Sequence, residues 1–212
     1  MSAASNPWDS IYEREGRVFT EPFQKFDAVV EKFALHRCRR ILDLGCGNGR
    51  HVVALTREGF NTVGFEFSLT GLRLAREWLG EEGLRAGLVG ADARQCFPFE
   101  AGSFEGLLST QVIHHARLSE VRVTIQEMWR VLANGGIAFV TVAGSKNEGI
   151  VWEEVETGTF VPLDGSEKGL PHHIFSEEEL RSEFEVFQID EISRRDEGKV
   201  LALWLTKVAQ SA

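Results

Sequence analysis

The segment Ile41-Leu42-Asp43-Leu44-Gly45-Cys46-Gly47-Asn48-Gly49-Arg50 constrains this chain more than any other stretch. An apolar run ends in three alternating glycines, and a helical pattern begins near Arg50. Glycine reaches backbone conformations closed to other residues. It therefore permits a tight strand-to-helix turn and lets a ligand lie directly against backbone amides. Downstream of Arg50 the unit repeats. Short apolar runs bounded by glycine or polar turns alternate with helical periodicity, which predicts βαβ units and a mainly parallel sheet.

Strands are expected at 40–44, 62–67, 87–90, 106–110, 137–142, 184–192 and 200–205. Between them, Leu69, Leu72, Ala75 and Leu79 recur at the spacing of a core-facing helix, as do Leu118, Val121, Ile125, Met128 and Leu132. The second pattern is expected to close at Asn134-Gly135-Gly136 through a left-handed glycine. Ser176 is placed to cap a further helix at the Glu179 amide while the Glu179 carboxylate reaches back, with Phe175 and Leu180 as a hydrophobic staple. Residues 194–199 are too few for a crossover helix, so the last two strands form an antiparallel hairpin at a sheet edge. No repeat or linker divides residues 1–212, which read as one domain. Two stretches fall outside the alternation: residues 1–21, with Trp8 and Tyr12, and the connection 143–175, long enough to be a lid or binding loop.

Charge narrows the function. Lys and Arg number 23 against 32 Asp and Glu, a net charge of −9, which disfavours sequence-independent nucleic-acid binding through phosphate neutralisation. No apolar run approaches the ~20 residues that span a bilayer, and Met1 to Pro7 lack the blocks of a secretory signal. Cys38, Cys46 and Cys96 are odd in number and contain no C-x-x-C pair. They suit a reduced, cytoplasmic chain rather than a disulfide or zinc scaffold.

Carboxylates gather at the predicted strand ends. Glu66 ends the second strand, either accepting from both hydroxyls of a ribose beside the first turn or simply facing solvent. Asp92, in Gly90-Ala91-Asp92-Ala93, either accepts from an adenine amine or caps a turn. Asp43 can hold turn amides or meet an ammonium group. A cationic sulfonium suits this ring of carboxylates, and a pyrophosphate does not. The spacing Gly45-x-Gly47-x-Gly49 also departs from the G-x-G-x-x-G/A dinucleotide fingerprint, which disfavours a nicotinamide cofactor.

Taken in order, Asp43-Leu-Gly-Cys-Gly-Asn-Gly, Glu66, Asp92-Ala93, the strand Leu107-Leu-Ser-Thr-Gln-Val-Ile-His-His and Trp129-Arg-Val-Leu-Ala-Asn-Gly-Gly-Ile-Ala-Phe-Val resemble the class I S-adenosylmethionine-dependent methyltransferases. The resemblance spans roughly residues 38–142 and is strongest to the small-substrate branch that includes tellurite-resistance-type enzymes. It implies a doubly wound, Rossmann-like, seven-stranded α/β sheet with an antiparallel C-terminal strand. It also implies S-adenosylmethionine as cofactor and S-adenosylhomocysteine as product. The contacts it implies come from Asp43, from Gly45, Cys46, Gly47, Asn48 and Gly49, from Glu66 and Phe67, from Asp92 and Ala93, and from Gln111. An Asn-Pro-Pro-Tyr-type motif is absent, which speaks against methylation of nucleobase amino groups.

The acceptor is expected to be a small molecule, bound by a monomer or homodimer. Methylation of tRNA or protein, and a non-catalytic cofactor-binding protein, are the alternatives. Methyl transfer needs alignment and exclusion of water, with a base only for a protonated acceptor. His114, His115, His173 and Tyr12 are the candidates near the reacting end, and packing or hydrogen bonding at a strand end is the competing role for each histidine. No metal is expected, because adjacent histidines in a strand point to opposite faces and no H-E-x-x-H pattern accompanies them. The acidic insertion 143–175 offers Trp152 and Phe160, and with Trp8 and Tyr12 it is expected to form a mobile cover.

Overall fold

A computed structural model describes residues 7–209. The first six residues of the predicted N-terminal cap lie outside the described part. Ten strands and six α-helices run in the order α1 (Pro7–Glu15), α2 (Phe26–Leu35), β1 (Arg40–Leu44), α3 (Arg50–Arg57), β2 (Asn61–Glu66), α4 (Leu69–Glu81), β3 (Gly87–Gly90), β4 (Phe104–Thr110), α5 (Leu118–Val131), β5 (Leu132–Ala143), β6 (Trp152–Glu156), β7 (Thr159–Pro162), β8 (His172–His173), α6 (Glu177–Glu183), β9 (Gln188–Arg195) and β10 (Val200–Thr206) among the described residues. The main sheet has the order β3-β2-β1-β4-β5-β10-β9. Its first five strands are parallel, and β10 runs antiparallel to both β5 and β9. The order reverses between β1 and β4, so the crevice beyond their carboxyl ends is the switch point where ligands of open α/β sheets bind.

Helices cover both faces, as an all-parallel central sheet requires. On one face α5 buries Val121, Ile125 and Met128 against Leu42, Leu44, Phe65 and Leu107. On the other, α2 buries Phe26, Val29 and Phe33 against Ile41, Leu108 and Phe139. The α4 periodicity holds for Leu72, Ala75 and Leu79, but Leu69 is 71% exposed. Leu69 is the first residue after the Ser68 cap, whose Oγ accepts from the Gly71 amide at 2.9 Å, and it sits outside the core rather than over the sheet.

Four expectations about elements are corrected. Residues 1–21, expected to precede the first helix, contain a helix of their own, α1. The α5 helix closes at Val131, before the glycines, because Leu132 is already extended. Gly135 takes φ +76° inside the strand, where it and Gly136 pair with Lys207. The strand expected from Phe184 begins at Gln188, since Phe184 caps α6. The connection 143–175 is no loop, for it folds into a second antiparallel sheet, β6-β7-β8. This small sheet is pinned to the body where the His173 amide donates to His114 O at 2.8 Å and the Phe175 amide to Ala143 O at 3.0 Å. Among the described residues no helix is long and apolar enough to cross a membrane.

Candidate active site

The turn after β1 closes on itself. The Gly45 and Cys46 amides both donate to Phe65 O (2.8 and 3.0 Å), the Gly47 amide to Glu66 Oε2 (2.9 Å), and the Gly49 amide to Cys46 O (2.9 Å). The turn therefore presents few free amides to an anion, contrary to the expectation from glycine content alone. That arrangement is poorly suited to a pyrophosphate, which relies on such donors. Its glycines are required by geometry. Gly45 has φ +75°, and a Cβ there would lie 2.3 Å from Val112. Gly47 has φ +54°, and a Cβ there would lie 2.4 Å from the Tyr12 hydroxyl. Cys46 is buried, with burial driving its thiol pKa well up, and it serves as a small residue under the turn.

Glu66 is buried at the end of β2 and accepts from the Ser68 amide (2.8 Å) as well as Gly47. Burial raises its pKa while these amides hold it down. Asp43 sits behind the turn rather than on the cavity wall. Its carboxyl is pushed up to about 7 by burial, opposed by Arg50, and its Oδ2 is buried with no partner. Asp92 meets Arg94 through both carboxylate oxygens (2.9 and 2.8 Å). Burial opposes ionisation there, but the Arg94 hydrogen bonds win and lower the pKa. Beside it, Phe67 lies half exposed under the Arg94 guanidinium at 5.6 Å.

A cavity of about 450 Å³ runs along the carboxyl ends of β1, β2 and β4, within the ~300–1,000 Å³ usual for small-molecule sites. Of the residues predicted from sequence, Gly45, Cys46, Gly47, Asn48, Glu66, Phe67, Asp92, Ala93, Gln111, His114, His115 and Tyr12 line it, whereas Asp43, Gly49 and His173 do not. Gly49 faces Ala75 of α4 instead. His173 is turned into the protein, its Nδ1 2.7 Å from Thr159 Oγ1 and its Nε2 3.0 Å from Glu179 Oε1. That second contact diverts the Glu179 carboxylate from the predicted capping box, although Ser176 Oγ still accepts from the Glu179 amide at 3.1 Å. Because β8 alternates faces, His172 points the other way, into the cavity. A second surface concavity near Arg122 and Glu183 is spanned by their ion pair and holds no comparable constellation.

Of the residues expected to cover the site, Trp8, Tyr12 and Trp152 line the cavity, and Phe160 does not. Tyr12 and Trp8 of α1 lie over the turn and His115, with the Trp8 and His115 centroids 5.4 Å apart. Asp9 fastens α1 by accepting from Ser68 Oγ (2.5 Å) and the Thr70 amide (3.1 Å). Burial and then Glu66 raise the Tyr12 pKa, so its hydroxyl is no proton acceptor at neutral pH. On the opposite side Trp152, Glu167 and Leu170 come from the second sheet and its connections. Gln111 has φ +57°, a strained conformation for a side-chain-bearing residue, locked by its amide donating to Thr141 O and Oγ1 (3.0 Å each).

The premise that kept the histidines apart also fails. His114 and His115 lie in a turn beyond β4, not in the strand, and their ring centroids are 4.1 Å apart. His172 approaches to 5.8 and 4.6 Å. Burial, then His172 and His173, push the His114 pKa down to about 3. Burial, then His114 and His172, push His115 well down.

Fold and site together define a Rossmann-like methyltransferase architecture, with a carboxylate-lined crevice at the switch point. Residues 42–140 match the family described as "Methyltransferase domain". It is 30% identical over 101 residues to the ubiquinone biosynthesis O-methyltransferase of Caulobacter sp. (strain K31). That match covers 48% of this chain and 39% of the relative, so the chain spans about two fifths of that relative's length. In structure it is similar to the Burkholderia thailandensis 1,6-didemethyltoxoflavin-N1-methyltransferase with bound S-adenosylhomocysteine (TM-score 0.69, 16% identity, 99% of this chain and 93% of the other). It is also similar to TehB from Haemophilus influenzae (TM-score 0.66, 19% identity, 94% and 67%).

Proposed function

We propose that this protein transfers the methyl group of S-adenosylmethionine to a small-molecule acceptor held between α1 and the β6–β8 sheet. One observation carries the reading. The crevice is a roofed cavity of about 450 Å³, bounded at one end by Glu66, Phe67 and Asp92 and at the other by His114, His115 and His172. In this reading Glu66 accepts from the ribose hydroxyls, releasing part of its hold on the turn. Phe67, Asp92 and Ala93 would hold the adenine, and Gly45, Gly47 and Gln111 the methionine portion. The carboxylates on the cavity wall suit the positive sulfonium, whereas Asp43, raised to about 7 by burial, carries only part of a negative charge near neutral pH.

Transfer is then a displacement: an acceptor lone pair forms the bond to the methyl carbon as the carbon–sulfur pair returns to sulfur, leaving S-adenosylhomocysteine. The chain aligns the two molecules, and Trp8 and Trp152 exclude water. His114 and His115, held neutral far below ordinary histidine pKa values, are weak proton acceptors, so positioning suits them better than general-base work. Macromolecular acceptors fit less well, because the roof narrows access and the chain carries a net charge of −9. Incubation with methyl-labelled cofactor tests this against a small-molecule library, tRNA and a protein extract. Label is expected in a small-molecule fraction. Label confined to RNA or protein would replace the small acceptor with a macromolecule.

A further inference from the structure

The histidine cluster has features that methyl transfer does not require. One nitrogen each from His114, His115 and His172 lies within 4.8 Å of the other two. His114 is only 2% exposed, and its Nδ1 is buried without a hydrogen-bond partner. A polar atom left so is costly unless something binds it. His172 adds a second observation. Its Nδ1 lies 2.9 Å from Leu170 O, which can only accept, so Nδ1 carries the proton. In a neutral ring Nε2 is then a lone pair, yet it stands 3.1 Å from Glu167 Oε2, another acceptor. The other oxygen of that carboxylate is 3.9 Å from His115 Nε2. Acceptors facing one another at these distances call for a cation among them.

We propose that His114, His115 and His172, with Glu167, bind one divalent first-row metal ion, zinc foremost, at the carboxyl end of β4. Imidazoles joined by a carboxylate form the donor set of such borderline ions. Two ligands about 2.1 Å from a tetrahedral centre stand roughly 3.4 Å apart. The 3.1 and 3.9 Å separations bracket that value, and ring rotation closes the 4.8 Å gap. The Leu170 carbonyl is the outer partner that fixes the tautomer of a ligating imidazole. Trp8 against His115 (5.4 Å) and Trp152 against His172 (5.2 Å) supply apolar walls around the site. All four ligands face the cavity. On the methyltransferase reading, and only there, the ion takes the acceptor's hydroxyl oxygen or thiol sulfur as a fifth ligand.

The test uses the full chain without tag histidines, stripped by chelator, then titrated with Zn²⁺ calorimetrically and with Co²⁺ by visible absorption. One equivalent of zinc is expected, with cobalt bands of low coordination number. His172→Ala and His114→Ala should each weaken zinc at least about a hundredfold, and His36→Ala, at the far end of α2, should not. Should a histidine variant fail to fold, Glu167→Gln is the second probe, with a tenfold or greater loss expected. Substoichiometric zinc, or equal affinity in the parent and a folded ligand variant, overturns the proposal and leaves a proton as the shared cation. S-adenosylhomocysteine binding is measured on the stripped chain in parallel. A chain that binds S-adenosylhomocysteine but no zinc removes the metal site alone, and one that binds zinc but no S-adenosylhomocysteine removes the methyltransferase reading alone.

Discussion

Gly47→Ala should expose how α1 is docked on the glycine turn after β1. Two costs add. Gly47 has φ +54°, and alanine in that left-handed region pays about 1–2 kcal/mol. The new Cβ would also stand 2.4 Å from the Tyr12 hydroxyl oxygen. Displacing a packed ring by about 1 Å costs roughly 1–3 kcal/mol, so the expected loss is about 2–5 kcal/mol. In a Tyr12→Phe background the oxygen is gone and the next ring atom, Cζ, is 3.4 Å away, an ordinary contact. Tyr12→Phe itself forfeits the hydroxyl's hydrogen bond with the Asn48 backbone, about 1 kcal/mol. In that background Gly47→Ala should cost only the backbone portion. The difference, a coupling of about 1–3 kcal/mol, is read from urea unfolding of the four proteins. Equal costs in both backgrounds would mean that Tyr12 does not rest on Gly47 and that the α1 roof is placed wrongly.

Glu66→Ala should weaken S-adenosylhomocysteine binding by about 2 kcal/mol, near thirtyfold, as a charged acceptor of two hydroxyls is lost. It should also lower Tm, because the Gly47 and Ser68 amides lose their partner; unchanged calorimetric affinity would misplace the ribose. Hydrogen exchange over residues 7–15 and 144–175 should slow markedly with cofactor plus an acceptor analogue, the β6–β8 sheet moving as a unit. Identical exchange with and without both ligands would make it a static roof. His51 is buried against Phe26, and burial followed by Arg50 lowers its pKa well below the ordinary value. The unfolded chain therefore binds the extra proton below about pH 6.5, and stability is lost as pH falls, at up to about 1.4 kcal/mol per unit from this group. His51→Gln should flatten that slope in denaturant titrations between pH 6.5 and 5, and an unaltered slope would contradict a neutral buried imidazole.

The parallel sheet and the cofactor-facing edge were legible because they are local. Residues 41–50 encode a strand, a glycine turn and a helix start without distant help, and Glu66 and Asp92 follow short strands whose ends can be read directly. Elements fixed by tertiary pairing were not legible. Residues 152–162 look like an acidic loop, since β6 and β7 become strands only by pairing with each other and with His172–His173. The α1 helix has few apolar residues, and its place depends on Asp9 finding Ser68 and Thr70 far along the chain. For the histidine pairs, strand alternation put His172 and His173 on opposite faces but the wrong one was taken for the cavity, and it misjudged His114 and His115, because β4 ends at Thr110 and the turn beyond it swings both rings to one side. Asp43 was expected at the ligand, and its position behind the turn, off the cavity wall, was not legible.

The central claim is that this crevice holds S-adenosylmethionine chemistry, and calorimetric titration of the purified chain with S-adenosylhomocysteine, beside NAD under the same conditions, tests it most directly. One equivalent of S-adenosylhomocysteine should bind, with Tm rising as its concentration rises, and NAD should produce no saturable heat. Saturable binding of NAD with none of S-adenosylhomocysteine would contradict the account.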